Sequence, residues 1–248
     1  MFSYYVNESD CSRWHLRFEE RRHSLHGVAI FDALGDAAVA RIASLCTWRS
    51  YPAGATIIAY LDLSSDIHFL IAGKARAIIY SAEGDAVLFK DIHPGEEFGE
   101  IAALDGGPRS AGVEALSTCM TASLSADGFQ QVLSDEPALA LVVLRRLTAQ
   151  IRRLSERVHE FSTLGVQSRI RAELLRLAAL AGTSANAAIL SPAPSLSELA
   201  SRVSTHREAV SRELSRLSAM NIAFRERGVL RIADMARLEQ LVREAKGE

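Results

Sequence analysis

Short apolar runs separated by turn residues fill the first half of the chain, after one stretch with helical spacing. Apolar positions recur at helical spacing over residues 31–46, which predicts a short helix. From Trp48 to Leu124 the apolar runs are short, and turn signals such as Leu63–Asp66 separate them. The runs predict strands over residues 56–60, 67–71, 75–80 and 86–91. Many short strands with regular turns indicate an all-β barrel or roll.

A long helix with one apolar stripe is predicted after the strands. Ser134 or Asp135 is placed to cap it, with Glu136 and Pro137 in its first turn. Its apolar residues then recur at alternating spacings of four and three, at Ala140, Leu144, Leu147, Ile151, Leu154, Val158 and Phe161. This spacing is typical of the seam between two coiled-coil helices. The pattern therefore predicts a parallel homodimer whose interface is formed by a helix about 40 Å long.

The last third of the chain predicts two short helices followed by a hairpin. Ser195 and Glu198 have the spacing of a capping box, and so do Thr205 and Glu208. Only two residues separate the predicted helices, so they form a helix-turn-helix. Residues 223–232 predict a β-hairpin that turns near Gly228. The whole pattern is typical of a winged helix-turn-helix, with arginines in the wing for phosphates.

These elements define an α+β chain of five segments: an N-terminal arm, a β-roll, a dimerisation helix, a winged helix-turn-helix domain and the end of a C-terminal helix. Their predicted bounds are residues 1–26, 27–133, 134–164, 165–238 and 239–248. Residues 164–166 interrupt the apolar stripe and predict a hinge, followed by an amphipathic helix over residues 167–180.

Charge is unevenly distributed along the 248 residues, whose net charge is −2. From Val166 onward, thirteen Lys and Arg stand against nine Asp and Glu, which leaves the preceding part acidic. An acidic front and a basic rear suggest different partners for the two parts. The three cysteines are far apart and form no CxxC pair, which predicts a reducing, cytoplasmic setting without a cysteine-held metal site. The chain shows neither a signal peptide nor an apolar run of about 18 residues, so we expect no membrane segment.

The segment from Phe98 to Ala111 carries the most specific chemistry. Gly99 and several alanines leave room for backbone N–H groups to approach an anion. Arg109 can close on that anion with a fork of donors. Glu100 is then free to accept hydrogen bonds from hydroxyl groups. A phosphate and a sugar hydroxyl held together would suit this segment.

This segment resembles the phosphate-binding cassette of cyclic-nucleotide-binding domains. That family reads Phe-Gly-Glu-(aliphatic)-Ala-Leu and, after a variable turn, Pro-Arg-(small)-Ala; residues 98–102 and 108–111 supply the two halves. The likeness extends over about residues 31–132. It implies that Arg109 pairs with the cyclic phosphate and that Glu100 accepts the ribose 2′-hydroxyl. The ligand-binding residues implied are Gly99, Glu100, Ile101, Ala102, Arg109, Ser110, Leu154 and Ser155.

The base half of the ligand is less closely specified by the resemblance. In the cAMP-binding members, two hydroxyl residues of the long helix contact the adenine across the dimer. Here Ser155 matches one of them, whereas Leu154 stands at the other position. The hydroxyl of Ser110 can also serve a guanine. We therefore expect cAMP as the effector, with cGMP as the alternative.

The helix-turn-helix resembles that of the CRP/FNR regulators. The family's Arg-Glu-x-(Val/Thr)-(Ser/Gly)-Arg run is present over residues 207–212. The resemblance implies a DNA-binding set of His206, Arg207, Glu208, Ser211 and Arg212. Arg207, Glu208 and Arg212 would read base edges in the major groove, with Ser211 assisting. Glu208 could complete a capping box as well or instead, and Ser204 stands where the family usually has Gly.

Together the two likenesses predict a dimeric transcription regulator that binds a palindromic operator under the control of a cyclic nucleotide. Ligand contact with the long helix would change the seam and the hinge at Gly165. RNA polymerase would be a further partner if the protein activates transcription. No metal is expected. The sequence shows neither a Ser/His/Asp arrangement, nor a metal motif, nor a P-loop, so it indicates a protein that is not an enzyme.

Two other interpretations remain open at this point. The first is a regulator of the same fold that senses haem or another small molecule, or a degenerate sensor that binds nothing. His68, His93 and His159 are the candidate haem ligands. The second is a ligand-binding module that acts through protein contacts without DNA.

Overall fold

The computed structural model describes residues 23–80, 86–184 and 186–247, so residues 1–22 of the predicted N-terminal arm lie outside the described chain. The described residues divide into two compact units. Residues 23–79 and 90–146 form the first unit, and residues 80, 86–89, 147–184 and 186–247 form the second.

The first unit contains most of the predicted β-roll, while residues 80 and 86–89, at the end of one strand and the start of the next, are assigned to the second. A 3-10 turn, Ala29–Phe31, precedes helix α1, Asp36–Leu45. The sequence had predicted one continuous helix over residues 31–46. The strands are β1 Thr47–Tyr51, β2 Thr56–Ile58, β3 Ile67–Ala72, β4 Ala75–Tyr80, β5 Ala86–Ile92, β6 Glu97–Phe98, β7 Gly112–Ala115 and β8 Cys119–Leu124. Two four-stranded sheets result, in the orders β1-β8-β3-β6 and β2-β7-β4-β5. The predicted strands are confirmed, although β2 ends two residues earlier than expected.

Strand β3 is central, because both of its faces are covered. Phe69 packs against Phe31 with ring centroids 5.0 Å apart, on one side of the sheet. His68 stacks on Phe98 with centroids 5.1 Å apart, on the other side. Burial, with the charge of Arg109 nearby, lowers the pKa of His68 to about 4, so this imidazole is neutral at pH 7. Strand β3 thus joins the core to the segment that begins at Phe98.

Helices α2, Glu100–Asp105, and α3, Ala126–Asp135, precede the long helix α4, Pro137–Thr163. The predicted cap of the long helix at Ser134 or Asp135 is wrong, because both residues belong to the last turn of α3. The hydroxyl of Ser134 donates to the Gln130 carbonyl at 3.0 Å instead. Helix α4 begins at Pro137, where the missing N–H would have no helical partner in any case.

The second unit contains the C-terminal half of α4 and a helix-rich domain. Its further helices are α5 Val166–Ala181, α6 Leu196–Arg202, α7 Arg207–Ala219 and α8 Met235–Lys246. Its short strands are β9 Thr183–Ser184, β10 Ala187–Leu190, β11 Ala223–Glu226 and β12 Val229–Ile232, in the sheet order β11-β12-β10-β9. Side chains from α5, α6, α7 and the sheet share one apolar core. The mixed architecture predicted from the sequence is confirmed.

The two predicted capping boxes have different outcomes. Ser195 Oγ accepts from the Glu198 N–H at 3.0 Å, and Glu198 returns a bond to the Ser195 N–H at 3.0 Å. The box at Thr205 is wrong, because the N-cap of α7 is His206, with no side-chain capping bond in the described chain. Glu208 is therefore not engaged by a capping box.

Two turns in the second unit need left-handed backbone. Ser204, between α6 and α7, has φ 48°, a conformation that glycine adopts freely and that costs another residue roughly 1 kcal/mol. Glycine would adopt this conformation without that cost. Arg227 and Gly228 have φ 46° and 82°, as a two-residue type I′ hairpin requires, so the predicted hairpin is confirmed. Among the described residues, no helix is long and apolar enough to cross a membrane.

Candidate functional site

The predicted anion cradle is built on a short helix rather than on a loop. Strand β6 ends at Phe98, and α2 begins at Glu100. Gly99 connects them with φ 79°, a left-handed conformation that favours glycine. A Cβ atom at Gly99 would also lie 2.6 Å from Arg109 Nη1. Glycine is therefore required at this position both by the backbone and by the neighbouring guanidinium.

Arg109 is buried, with 2% of its surface exposed. Its Nε donates to Ser64 Oγ at 3.1 Å, Nη1 to the Gly99 carbonyl at 3.0 Å and Nη2 to the Asp66 carbonyl at 2.8 Å. These partners are neutral oxygens. Burial lowers the pKa of Arg109, and the carboxylates of Asp66, Asp62 and Glu100 oppose this shift through their charge. Each Nη carries a second hydrogen, so the fork can still bind an anion.

Glu100 supplies a carboxylate on the same segment. Burial raises its pKa, and the charge of Glu97 acts in the same direction. Lys90 and Arg109 oppose the shift through their positive charge. A carboxylate held away from water is a strong acceptor once a ligand hydroxyl reaches it. The structure thus places one buried cation and one half-buried carboxyl group on the same cassette.

The other cassette residues differ in burial. Ala102 is buried, Ile101 is half-buried and Ser110 is exposed. The first N–H groups of α2 have no partner within the helix, as at every helix start, and small side chains surround them. The backbone therefore offers donors next to the guanidinium.

The sequence analysis missed the segment that holds Arg109. Ser64 and the Asp66 carbonyl bind its side chain, yet residues 63–66 were interpreted only as a turn signal. The main chain is held as well: the Leu61 N–H donates to the Arg109 carbonyl at 3.1 Å, and the Arg109 N–H donates to the Asp62 carbonyl at 2.9 Å. The short polar run before a strand was the available signal, but it did not show which residue it would contact.

An ion pair links the cassette to the first half of the long helix. Arg146 Nη1 on α4 lies 2.7 and 2.5 Å from the two carboxylate oxygens of Glu97. Glu97 immediately precedes Phe98 and Gly99, and only 13% of its side chain is exposed. This pair joins the residue before Phe98 to α4.

The predicted apolar stripe of α4 is exposed over its second half. Ile151 is 63% exposed, Leu154 45% and Val158 65%. Ser155 also lies at an exposed position. Large apolar residues at heptad spacing on the outside of a helix are typical of a helix–helix interface.

Helix α7 exposes the predicted DNA-binding residues and buries its other face. His206, Arg207, Glu208, Ser211 and Arg212 are all exposed. Val210, Leu214 and Leu217 on the other face belong to the apolar core. The nearest nitrogen and oxygen atoms of Arg207 and Glu208 are 3.6 Å apart, and both side chains are well exposed. The structure therefore brings the five residues to one accessible surface at the N-terminal end of α7.

A buried ion pair anchors α7 to α5. Arg171 Nε donates to Glu213 Oε1 at 2.6 Å, and only 1% of the Glu213 side chain is exposed. Arg216 Nη1 lies 3.5 Å from Glu213 Oε2. Glu213 directly follows Arg212, so this pair sets the position of the exposed surface. Sequence reasoning missed it, because the two partners are 42 residues apart.

A second charged cluster surrounds the end of α4. Glu160 on α4 pairs with Arg176 on α5 at 2.7 Å, and Arg176 also pairs with Glu173. Arg157 on α4 donates to the Arg202 carbonyl at the end of α6. Gly165, the predicted hinge, has extended backbone and separates α4 from α5. The last turns of α4 are thus bound to the helix-turn-helix domain by several charged contacts.

The fold and the two sites define a ligand-sensing regulator with a winged helix-turn-helix. The chain matches the family of cyclic nucleotide-binding domains over residues 48–136 and the family of Crp-like helix-turn-helix domains over residues 168–241. The chain belongs to the CRP/FNR family of transcription regulators. Because members of this family are regulators, the prediction of a protein that is not an enzyme is confirmed.

Individual relatives support the same assignment. The CRP-like cAMP-activated global transcriptional regulator of Mycobacterium tuberculosis is 25% identical over 222 residues, which cover 88% of this chain and 96% of the relative. The structure of a CooA mutant from Carboxydothermus hydrogenoformans matches with a TM-score of 0.73 at 16% identity, over 88% of this chain and 95% of that chain. The c-di-GMP-responsive global regulator CLP of Xanthomonas campestris matches with a TM-score of 0.69 at 20% identity, over 80% of this chain and 99% of that chain. The two structural likenesses show the fold alone.

Proposed function

We propose that the chain is a homodimeric transcription regulator whose operator binding is switched by a cyclic nucleotide, with cAMP as the preferred effector. The observation that carries the proposal is the guanidinium of Arg109, which is buried among neutral oxygens. Burying a cation without a directly paired anion is costly, so such a site favours an anionic ligand that completes it. The cassette around it supplies the remaining contacts that a cyclic phosphate and its ribose need.

The roles within the ligand site follow from the chemistry of each group. Arg109 binds the phosphate with its two free Nη hydrogens, and Glu100 accepts the ribose 2′-hydroxyl. The first amides of α2, at Glu100, Ile101 and Ala102, donate to the phosphate oxygens, as does the hydroxyl of Ser110. The contacts of Leu154 and Ser155 with the base stay a prediction from the family resemblance.

The choice of cAMP rests on the relative from M. tuberculosis, which is a cAMP-activated regulator. The structurally similar protein CLP is instead c-di-GMP-responsive. The ligand titration therefore also tests the alternatives: cGMP, another small molecule, and a sensor that binds no ligand. Haem is tested by the visible absorption spectrum of the purified protein.

The affinity for the cyclic nucleotide is expected to rise with pH through the pKa of Glu100. In the free protein burial raises that pKa, so the carboxyl takes up its proton at a higher pH than an ordinary glutamate does. A ribose hydroxyl that donates to the carboxylate favours the charged form and lowers the pKa in the complex. Binding therefore releases a proton below the pKa of the free protein, and affinity rises by up to about tenfold per pH unit there.

Calorimetric titration of cAMP from mildly acidic to neutral pH measures this dependence. The Glu100→Gln variant is the matched control, because the amide keeps the shape and cannot titrate. Its affinity is expected to be lower and almost independent of pH. The same slope in wild type and variant would show that Glu100 does not accept the ligand hydroxyl.

The DNA-binding role rests on the exposed surface of α7. Its N-terminal end presents arginines next to a carboxylate, the side chains that read guanine and cytosine in the major groove. In a dimer along the seam of α4, the two α7 helices would reach successive major grooves about 34 Å apart on a palindromic operator. Such a protein acts on cytoplasmic DNA, and it would contact RNA polymerase if it activates transcription.

Replacing Arg212 by alanine is expected to relax the base preference at one position of each half-site. The bidentate contact of an arginine with a guanine contributes about 1–3 kcal/mol to discrimination against the wrong base. Fluorescence anisotropy with operators that carry each of the four base pairs measures the change. Arg225→Ala, at an exposed position of the wing, is the control and should weaken all operators equally. An equal loss on every operator for Arg212→Ala would mark Arg212 as a phosphate contact.

Coupling between ligand and DNA is proposed to pass through α4. The pair between Glu97 and Arg146 connects the cassette to this helix, and the charged cluster at Glu160 connects the helix to the DNA-binding domain. A ligand acts as a switch only if it binds the DNA-competent arrangement better than the other. Operator titrations with and without cyclic nucleotide test the proposal. A module that acts through protein contacts alone would show no salt-dependent operator binding.

A further inference from the structure

The guanidinium of Arg109 is oriented by a polar loop between β2 and β3. Its Nε donates to Ser64 Oγ at 3.1 Å. The Ser64 N–H donates to Asp62 Oδ1 at 2.6 Å. Hydrogen bonding to Ser64 lowers the pKa of Asp62. Asp62 therefore binds the backbone of Ser64, whose hydroxyl accepts from Nε of Arg109.

The role of each group follows from the donor inventory of arginine and serine. Nε of Arg109 can only donate, so Ser64 Oγ is the acceptor in this contact. The backbone of Ser64 is held separately, by the bond from its N–H to Asp62 Oδ1. Ser64 is thus an acceptor for the guanidinium on a main chain that Asp62 holds.

The main chain of the same loop is also fixed against Arg109. Two backbone hydrogen bonds join residues 61 and 62 to Arg109, at 3.1 and 2.9 Å. Leu61 has φ 63°, a left-handed conformation that costs a leucine roughly 1 kcal/mol. Such a conformation persists only where its surroundings hold it, and it is common at ligand sites. The loop is therefore held against Arg109 by main-chain as well as side-chain hydrogen bonds.

A hydroxyl at Nε leaves the guanidinium without a directly paired carboxylate. A carboxylate paired directly with the fork would occupy the Nη hydrogens and compete with a phosphate. The serine instead binds only Nε. Nη1 and Nη2 each have one carbonyl partner and keep a second hydrogen for a ligand.

We propose that Ser64, oriented by Asp62, is a positioning residue that sets the rotation of the Arg109 fork against the ligand phosphate. The inference rests on the proposed cyclic-nucleotide site and adds to it two residues outside the cassette. It predicts a geometric effect on phosphate recognition, beyond any change in stability.

The test compares Ser64→Ala with Ser64→Thr, and uses Ser65→Ala as a neighbouring control. Calorimetric titration measures binding of cAMP and of its two phosphorothioate diastereomers, in which sulfur replaces one or the other non-bridging oxygen. Ser64→Ala is expected to bind cAMP about fivefold more weakly, because a hydrogen bond to a charged group is lost. It should also reduce the wild-type ratio between the diastereomers. Ser64→Thr should restore both values, and Ser65→Ala should change neither.

The possible outcomes separate this inference from the proposed function. If wild type binds no cyclic nucleotide, the proposed function and the role of Ser64 both fail. If wild type binds and Ser64→Ala has the same affinity and the same diastereomer ratio, only the role of Ser64 fails. A uniform loss for all three ligands, with an unchanged ratio, assigns Ser64 a structural role and overturns the positioning role.

Discussion

Replacing Arg109 by methionine is expected to weaken cyclic-nucleotide binding by at least about 30-fold. Truncating one partner of a buried, hydrogen-bonded charge pair costs about 2–5 kcal/mol. The methionine fills part of the vacated volume but leaves the phosphate without a counter-charge. The loss should appear in calorimetric titration of the purified protein, and operator binding should lose its response to the ligand.

Arg109→Lys separates charge from geometry at the same position. Lysine keeps the positive charge but replaces the planar fork with a single ammonium group. We expect an affinity between those of wild type and Arg109→Met, about tenfold below wild type. If Arg109→Lys binds the cyclic nucleotide as tightly as wild type does, a point charge at this position is sufficient.

A surface arginine of the same unit provides the control. Arg41 pairs with Asp135 and Glu136 at 3.2 and 3.1 Å, and its side chain is half exposed. Surface pairs of this kind contribute little, so Arg41→Met should leave ligand affinity unchanged. Unchanged affinity in Arg109→Met, with the variant folded, would contradict the assignment of the phosphate site.

Replacing Arg171 by methionine is expected to lower the free energy of unfolding of the DNA-binding domain by about 3 kcal/mol. The change leaves the Glu213 carboxylate buried without its closest partner, and Arg216 Nη1 then lies 3.5 Å from Glu213 Oε2. The double variant Arg171→Met/Glu213→Leu should recover most of the loss, because an apolar pair can replace a buried ion pair at little cost.

Urea unfolding, followed by circular dichroism, measures these free energies. Arg243→Met is the matched control, because it breaks an exposed pair with Glu239 at 2.9 Å on the last helix. Its effect should stay below about 1 kcal/mol. Equal effects of Arg171→Met and Arg243→Met would show that the buried pair does not hold α7 in place.

The elements with a strong local pattern could be predicted from the sequence. Each of these elements depends on residues that are neighbours in the chain. They are the strands of the roll, the hairpin at Gly228 and the capping box at Ser195, and the structure has each where the pattern predicted it. The cassette residues are within one short segment, so their type and spacing indicated the chemistry. The roles of the individual side chains stay predictions until ligand and DNA binding are measured.

Features that depend on residues far apart in the chain could not be predicted. Ser64 meets Arg109 across 45 residues, and Arg171 meets Glu213 across 42. Only the folded chain brings these partners together. The sequence pattern gave no sign that Glu213 would be buried, because a glutamate on a helix is usually solvated.

The helix boundaries were wrong where two local signals competed. Asp135 resembles an N-cap, yet it closes α3, and Arg41 binds it there. Thr205 has the spacing of a capping box, but the left-handed turn at Ser204 places His206 at the cap of α7. Tertiary contacts and turn geometry determined both boundaries.

The central claim is that one cyclic nucleotide controls operator binding through Arg109. Its most direct test is the affinity of the protein for an operator selected from random DNA, measured by anisotropy without ligand and with saturating cAMP or cGMP. We predict that one of the two raises operator affinity by about 5- to 150-fold, and that the operator raises the affinity for that nucleotide by the same factor. Equal operator affinity in the absence and presence of both nucleotides would contradict the account.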